Sequence, residues 1–179
     1  MPNLMRRMKL VALLGMLGCT FEGSGQSLDA ALVEDDLRVF LMGRGYTAVP
    51  MVRLSTGHFS VSGSADEVTL DLIVDTGASH TLLDTERVGR FGIRTVDEGS
   101  RATGVEYANQ SVESGRLDNV AVGAVRMETL RVTVVDLSQV NRVLQRMGDG
   151  QVDGILGSDA LVAREAVIDY GNRSLYLKE

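Results

Sequence analysis

Residues 70–79 read LDLIVDTGAS and constrain this chain more than any other stretch. An apolar run of β type, residues 70–74, delivers a carboxylate, a hydroxyl and a glycine in a row, Asp75, Thr76 and Gly77, and the chain then turns. Two apolar side chains directly before the acid predict that Asp75 stands at the inner end of a buried strand. A carboxylate there is costly unless it is hydrogen-bonded or shares a proton. Chains keep such groups mainly where chemistry needs them. Gly77 allows a sharp turn and close backbone approach, and Thr76 brings a hydroxyl donor. Alone, the triplet also fits an ordinary turn after a strand.

A second element about eighty residues on gives the first its meaning. Residues 152–161 read VDGILGSDAL. Ile155, Leu156 and Gly157 end an apolar strand, and Ser158 is the expected N-cap of a short helix. Together, in this order and at this separation, the two elements resemble the aspartic proteases, specifically the small retropepsin-like kind. The resemblance covers roughly residues 46–178. It implies that Asp75 is the catalytic acid, that Thr76 cross-braces two such loops, and that Gly77 and Ala78 contact the substrate backbone. It implies that Ile155, Leu156 and Gly157 pack beside the loop. It also implies a flap hairpin over the substrate, expected around Gly104 and Val105.

The 179 residues suffice for one domain with a core. Aromatics make up only 4% and Trp is absent, so that core must rest on Val, Leu, Ile and Met. A formal charge of −6 and the lack of a basic stripe argue against a nucleic-acid partner. His58 and His80 are the only histidines, and neither a paired-cysteine nor a His-Glu-x-x-His motif occurs, so no metal site and no cofactor are expected. His80, five residues after Asp75, reads as a solvated residue past a turn. No Gly-x-Ser-x-Gly elbow supports a serine hydrolase, and no glycine loop cradles phosphate.

The first nine residues carry Arg6, Arg7 and Lys9 and no acid, and residues 10–18 are the apolar LVALLGMLG. This is the pattern of a secretory signal. The apolar run is too short to span a bilayer as a helix, which takes ~20 residues. Cys19, the single cysteine, follows directly, and Leu17-Gly18-Cys19 resembles the cleavage box of bacterial lipoproteins. The expected organisation is therefore a lipoprotein-like signal (1–18), a tether and N-terminal helix (19–45) and a protease-like domain (46–179). The expected location is the periplasmic side of a bacterial cell envelope, lipid-anchored to a membrane through Cys19.

Along the domain, alternating valine-rich runs favour sheet. Strands are predicted at 47–54, 58–62, 67–74 and 81–83, with a short helix at 85–91. Hairpins are predicted at 101–107/111–115, 117–122/125–135 and 167–170/174–177. Residues 138–147 predict a helix capped by Ser138, with Val140, Val143, Leu144 and Met147 as its apolar stripe. Many short strands and few helices point to a mainly β protein, and the resemblance makes it a closed β-barrel of the retropepsin-like acid protease type with a few short helices.

An aspartic protease needs two carboxylates sharing one proton, because like charges so close cannot both ionise. This sequence has one Asp-Thr-Gly; the other Asp-Gly pairs, at Asp149 and Asp153, lack the intervening hydroxyl. The expected assembly is thus a homodimer in which Asp75 of each subunit meets on a two-fold axis. The expected activity is hydrolysis of peptide bonds in a peptide or protein substrate. The alternative is a catalytically silent module of the same fold that binds peptides or aids assembly in the envelope.

Overall fold

The structure, a computed structural model, describes residues 36–101 and 111–179. The expectations for the signal segment, Cys19, the tether, and Gly104 and Val105 lie outside the described residues. After a helix through residues 36–42 (α1) come β1 (Tyr46–Pro50), β2 (Val52–Arg53), β3 (Phe59–Ala65), β4 (Val68–Val74) and β5 (Leu82–Asp84). A 3-10 turn (Thr85–Arg87) leads to β6 (Val96–Arg101), β7 (Ser111–Val122) and β8 (Val125–Val135). The chain ends with α2 (Ser138–Arg146), β9 (Gly154–Leu156), α3 (Ser158–Ala163), β10 (Val167–Asp169) and β11 (Ser174–Lys178).

The protein is mainly β, and its large sheet closes on itself. Strands pair in the order β3-β4-β9-β5-β8-β7, and β7 returns to β3 through Gly63↔Val122 and Ser64↔Ala121. Closure into a barrel removes the exposed edges of those six strands. Leu70 and Leu72 of β4, Leu83 of β5, Leu117 and Val122 of β7, Val132 of β8 and Leu156 of β9 fill the interior. Each such buried side chain contributes about 1.5–3 kcal/mol of transfer free energy. As composition requires, this core is aliphatic.

β4 is buried on both faces near its end, which explains its unbroken apolar run. Leu72 points into the barrel, while Ile73 packs outside against Leu144 of α2 and Val152. The pairing with β9 is parallel, with Leu72↔Gly154, Ile73↔Ile155 and Val74↔Leu156 in register. The two elements singled out in the sequence are therefore side by side in space.

Several local expectations are corrected. Residues 47–54 are not one strand: β1 belongs to a separate sheet, β1-β11-β10, and β2 to the barrel sheet. The break falls at Met51, directly after Pro50 ends β1, and the Met51 N–H donates across to the Arg173 carbonyl at 2.7 Å. The expected helix at 85–91 is regular only as the 3-10 turn of residues 85–87, capped by Asp84. Residues 111–122 form a single long strand rather than two. Ser138 is not the N-cap of α2; Leu137 occupies that position, and the Asp136 carboxylate accepts the Ser138 N–H at 2.8 Å. Only half of the expected α2 stripe faces inward: Leu144 is buried and Val140 partly so, but Val143 and Met147 are largely exposed and Asn141 is buried instead.

Candidate active site

β4 ends at Val74, and the loop that follows is held from its neighbour strand. The Asp75 N–H donates to the Leu156 carbonyl at 3.1 Å, which prolongs the β4–β9 ladder by one bond. The Gly77 N–H donates to Asp75 Oδ1 at 2.8 Å, and the Ala78 N–H reaches the Asp75 carbonyl at 3.4 Å. These bonds wrap the turn around its own carboxylate. Among the described residues, no further hydrogen bond to that carboxylate is formed. Asp75 and Ala78 are half-buried, whereas Thr76, Gly77, Ser79 and His80 are exposed. The expectation of an acid at the inner end of a buried strand is thus met in position, with the tip of the loop open to solvent.

The other side of the loop is clamped by the start of α3. The Ser158 N–H donates to the Ala78 carbonyl at 2.7 Å, and Ser158 Oγ reaches the Ser79 carbonyl at 3.4 Å. Ser158 was expected to cap α3, but Gly157 is the N-cap and Ser158 spends its polar groups on the loop. Gly157 itself lies flat on the backbone of His80 and Thr81. Thr81, fully buried, links the pieces: its Oγ1 donates to Asp159 Oδ1 at 2.8 Å and accepts the Gly157 N–H at 3.2 Å, and its own N–H donates to Asp159 Oδ2 at 3.0 Å. The His80 ring stays largely in water, with Nδ1 3.9 Å from Asp159 Oδ2.

The structure thus brings together Asp75, Thr76, Gly77 and Ala78 with Ile155, Leu156 and Gly157. Two buried acids that brace this group, Asp84 and Asp153, were not singled out as braces from the sequence. Asp84 is fully buried, and its carboxylate accepts N–H groups from Leu137 at 3.2 Å, Asn141 Nδ2 at 3.0 Å and Glu86 at 3.4 Å. Asp153, also buried, accepts the Asp71 N–H at 2.9 Å and Arg90 NH1 at 2.9 Å. Arg87 Nε stands 3.2 Å from the same carboxylate, close enough for an ion pair but not aligned as a hydrogen bond. A visible signal existed for both acids. Each sits inside or directly beside an apolar run, where a carboxylate requires partners.

A family model described as aspartyl protease matches residues 60–160, more than half of the chain, from within β3 to within α3. The chain belongs to the aspartyl protease family. The matched span contains both the Asp75 loop and the Leu156–Gly157 clamp. A curated Sinorhizobium protein, described as an uncharacterized protein in the cobV 5' region, is 24% identical over 128 residues, 70% of this chain and 54% of that protein. The chain therefore spans about half the length of that relative. Among solved structures, a retropepsin-like aspartic protease from Rickettsia conorii is similar at 22% identity, with a TM-score of 0.48, covering 74% of this chain and 90% of that one. The retroviral protease-like domain of Ddi1 from Leishmania major is similar at 20% identity and a TM-score of 0.45, covering 66% of this chain and 86% of that one. The EIAV protease bound to an inhibitor is also similar at 20% identity and a TM-score of 0.45, covering 62% and 90%.

Proposed function

We propose that this aspartyl protease family member is an active endopeptidase, and that its catalytic unit is a pair of Asp75 side chains, one from each of two copies. The observation that carries the reading is the Asp75 loop itself. Its main chain is fixed on one side by Leu156 and on the other by Ser158. Its Thr76–Gly77 tip, in contrast, is exposed. A loop so braced presents one carboxylate in a defined place, and a second copy related by a two-fold axis would supply the other.

The chemistry follows from two like charges at close range. They hold one proton between them, so one carboxylate is a base while the other is an acid. The ionised member removes a proton from a water molecule, whose oxygen attacks the scissile carbonyl carbon. The protonated member donates to the carbonyl oxygen, giving a neutral gem-diol. Return of a proton to the amide nitrogen lets the C–N bond break, leaving a carboxyl product and an amine. Thr76 braces one loop on the other, and Gly77 and Ala78 bind the substrate backbone.

The sequence supports a location for this activity. Residues 1–18 would act as a lipoprotein-like signal, Cys19 as the lipid-bearing residue, and 19–45 as tether and helix ahead of a domain at 46–179. That would place the enzyme on the periplasmic side of a bacterial membrane.

The deciding experiment is peptide hydrolysis by purified residues 20–179 and by Asp75→Asn. The asparagine keeps an Oδ1 for the Gly77 N–H, so the fold should stand while the ionisable group is gone. Hydrolysis by wild type and none by the variant is expected. Equal hydrolysis by both would remove Asp75 from the mechanism.

A further inference from the structure

β9 carries the Leu156 carbonyl that receives the Asp75 N–H, yet it is only three residues long, with three partners in register on β4 and two on β5. So short a strand is weakly specified by its own ladder. Two residues before it, Val152 is gripped by a side chain. Its N–H donates to Asn141 Oδ1 at 2.9 Å, and its carbonyl accepts from Asn141 Nδ2 at 3.1 Å. This is the two-bond pattern of a β bridge, made here by a buried amide on α2. The second proton of Nδ2 goes to Asp84 Oδ2 at 3.0 Å. Asp84 therefore dictates which way the amide faces: turned over, its oxygen would confront a carboxylate. Asp84 is itself anchored by the Leu137 N–H at the start of α2 and stands next to β9, its N–H donating to the Asp153 carbonyl at 2.8 Å.

We propose that Asn141 is a positioning residue for the Asp75 loop, holding β9 in register through Val152 while Asp84 orients its amide. Its catalytic consequence rests on the endopeptidase reading; its structural consequence does not. If Val152 slips, Leu156 and Gly157 slip with it, and the loop loses the acceptor for its first N–H. Loss of one buried hydrogen-bonded brace should raise local opening about tenfold. A shift approaching 1 Å at the reacting groups can cost about a hundredfold in rate.

The test uses Asn141→Ala and Asn141→Asp in the full chain, with two readouts. One is amide-exchange protection at Asp75 and Gly157, referred to amides of the β7–β8 ladder. The other is kcat and KM for peptide hydrolysis. In Asn141→Ala, Asp75 and Gly157 should lose about tenfold in protection while β7–β8 amides hold, and kcat should fall more than KM rises. Asn141→Asp sharpens the case. One of its oxygens still accepts the Val152 N–H, but the other faces two acceptors, Asp84 Oδ2 and the Val152 carbonyl. A proton shared with Asp84 removes the repulsion between the two carboxylates, while the Val152 carbonyl is left without its donor. The introduced acid should therefore hold its proton to higher pH than usual, and native-like geometry should persist in acid and fail as pH rises. Other charges leave this prediction intact: the Asp153 carboxylate faces Arg87 and Arg90, and Glu86, Asp136 and Arg142 are exposed. Between about pH 7 and pH 4, Asn141→Asp should thus regain part of the protection at Asp75 and part of the activity.

Unchanged protection at Asp75 in folded Asn141→Ala would overturn the proposal, as would an Asn141→Asp variant with no recovery in acid. Should Asn141→Ala fail to fold, the acid recovery of Asn141→Asp still decides. If wild type hydrolyses no peptide, the endopeptidase reading falls while the exchange readout continues to test Asn141.

Discussion

Gly157 lies so close to His80 that a Cβ on Gly157 would stand 2.4 Å from both the carbonyl carbon and the carbonyl oxygen of His80, and 2.8 Å from the Thr81 nitrogen. The atoms in the way are backbone, which cannot rotate aside. Gly157→Ala must therefore push β9 and the Asp75 loop apart. Overpacking of this kind costs about 1–3 kcal/mol, or a Tm lower by about 2–4 °C for each kcal/mol in a domain of this size. Because the Gly157 N–H also donates to Thr81 Oγ1, the loss should fall on the site as well as the fold. Thermal unfolding of Gly157→Ala within 1 °C of wild type would show that the packing is looser than described.

Asp153 supports the same strand from the opposite end. Its carboxylate takes one backbone N–H from Asp71 and faces two guanidinium groups, Arg87 and Arg90. Arg90 NH2 also donates to the Thr69 carbonyl at 3.1 Å, so β4 and β9 are tied at the ends distant from Asp75. Removing a buried acid leaves its partners uncompensated, at a cost of about 3–5 kcal/mol for a dry pair. The Arg90 side chain is 41% exposed and can turn to water, so Asp153→Ala should lie near the low end, about 3 kcal/mol. Asp153→Asn, which keeps an acceptor, should cost less. Denaturant unfolding measures both; an asparagine variant as stable as wild type would remove the ion pairs from the account.

How much of this was legible beforehand differs by the range of the interaction. The Asp75 loop and Ile155-Leu156-Gly157 are local patterns of residue type, and both stood out; that they pair was implied by family likeness and is realised in the β4–β9 register. The closing hairpin and the turn at Gly123 were likewise readable from short spans. What stayed hidden depends on partners far along the chain. Asp84 looks like a strand end, and becomes a buried brace only because Asn141, more than fifty residues later, reaches it. Asn141 interrupts an apolar helix face, and nothing local reveals that it substitutes for a strand at Val152. The break of residues 47–54 between two sheets is a tertiary decision too, taken where Met51 finds the Arg173 carbonyl.

Asp136 offers a pH reading of α2. The Ser138 N–H bonded to its carboxylate holds its pKa below the ordinary 3.8, with the Ser138 hydroxyl adding to the effect. A depressed acid contributes stability above its unfolded pKa and loses it as pH falls through the folded one. The Ser138 amide should therefore stay protected down to pH 3.8 and open below it, earlier in acid than the barrel amides. Asp136→Asn should abolish that step. A Ser138 amide indifferent to acid in the wild type would show that the Asp136 bond contributes nothing to the helix start.

For Cys19, the expected outcome concerns mass and fractionation. A lone cysteine directly after a basic and apolar leader predicts a lipid-modified residue. Wild-type protein should then travel with membranes at a mass larger than the cleaved polypeptide by its acyl groups. Cys19→Ser should be soluble after release or remain unprocessed. Identical fractionation and mass for the two would assign residues 1–18 to an ordinary cleaved signal, and leave the protease reading untouched.

The shared-site reading exposes itself most directly to dilution. With one Asp-Thr-Gly in the chain, a monomer holds one of the two carboxylates the chemistry needs. Activity per mole should fall as protein is diluted below its dimer dissociation constant, since only the dimer is competent. Mixing gives an independent check. With random re-pairing, an equal amount of Asp75→Asn leaves about half of the wild-type chains in wild-type pairs, so activity should drop by about half, and further with excess variant. The pH profile should follow two apparent pKa values that belong to the pair, giving a bell rather than a single step. Constant specific activity in a species that sediments as a monomer would refute the arrangement. The second acid would then have to come from the same chain. Asp84, Asp153 and Asp159 are poor substitutes, because each already spends its carboxylate on the amide, guanidinium or hydroxyl donors that hold the strands in place.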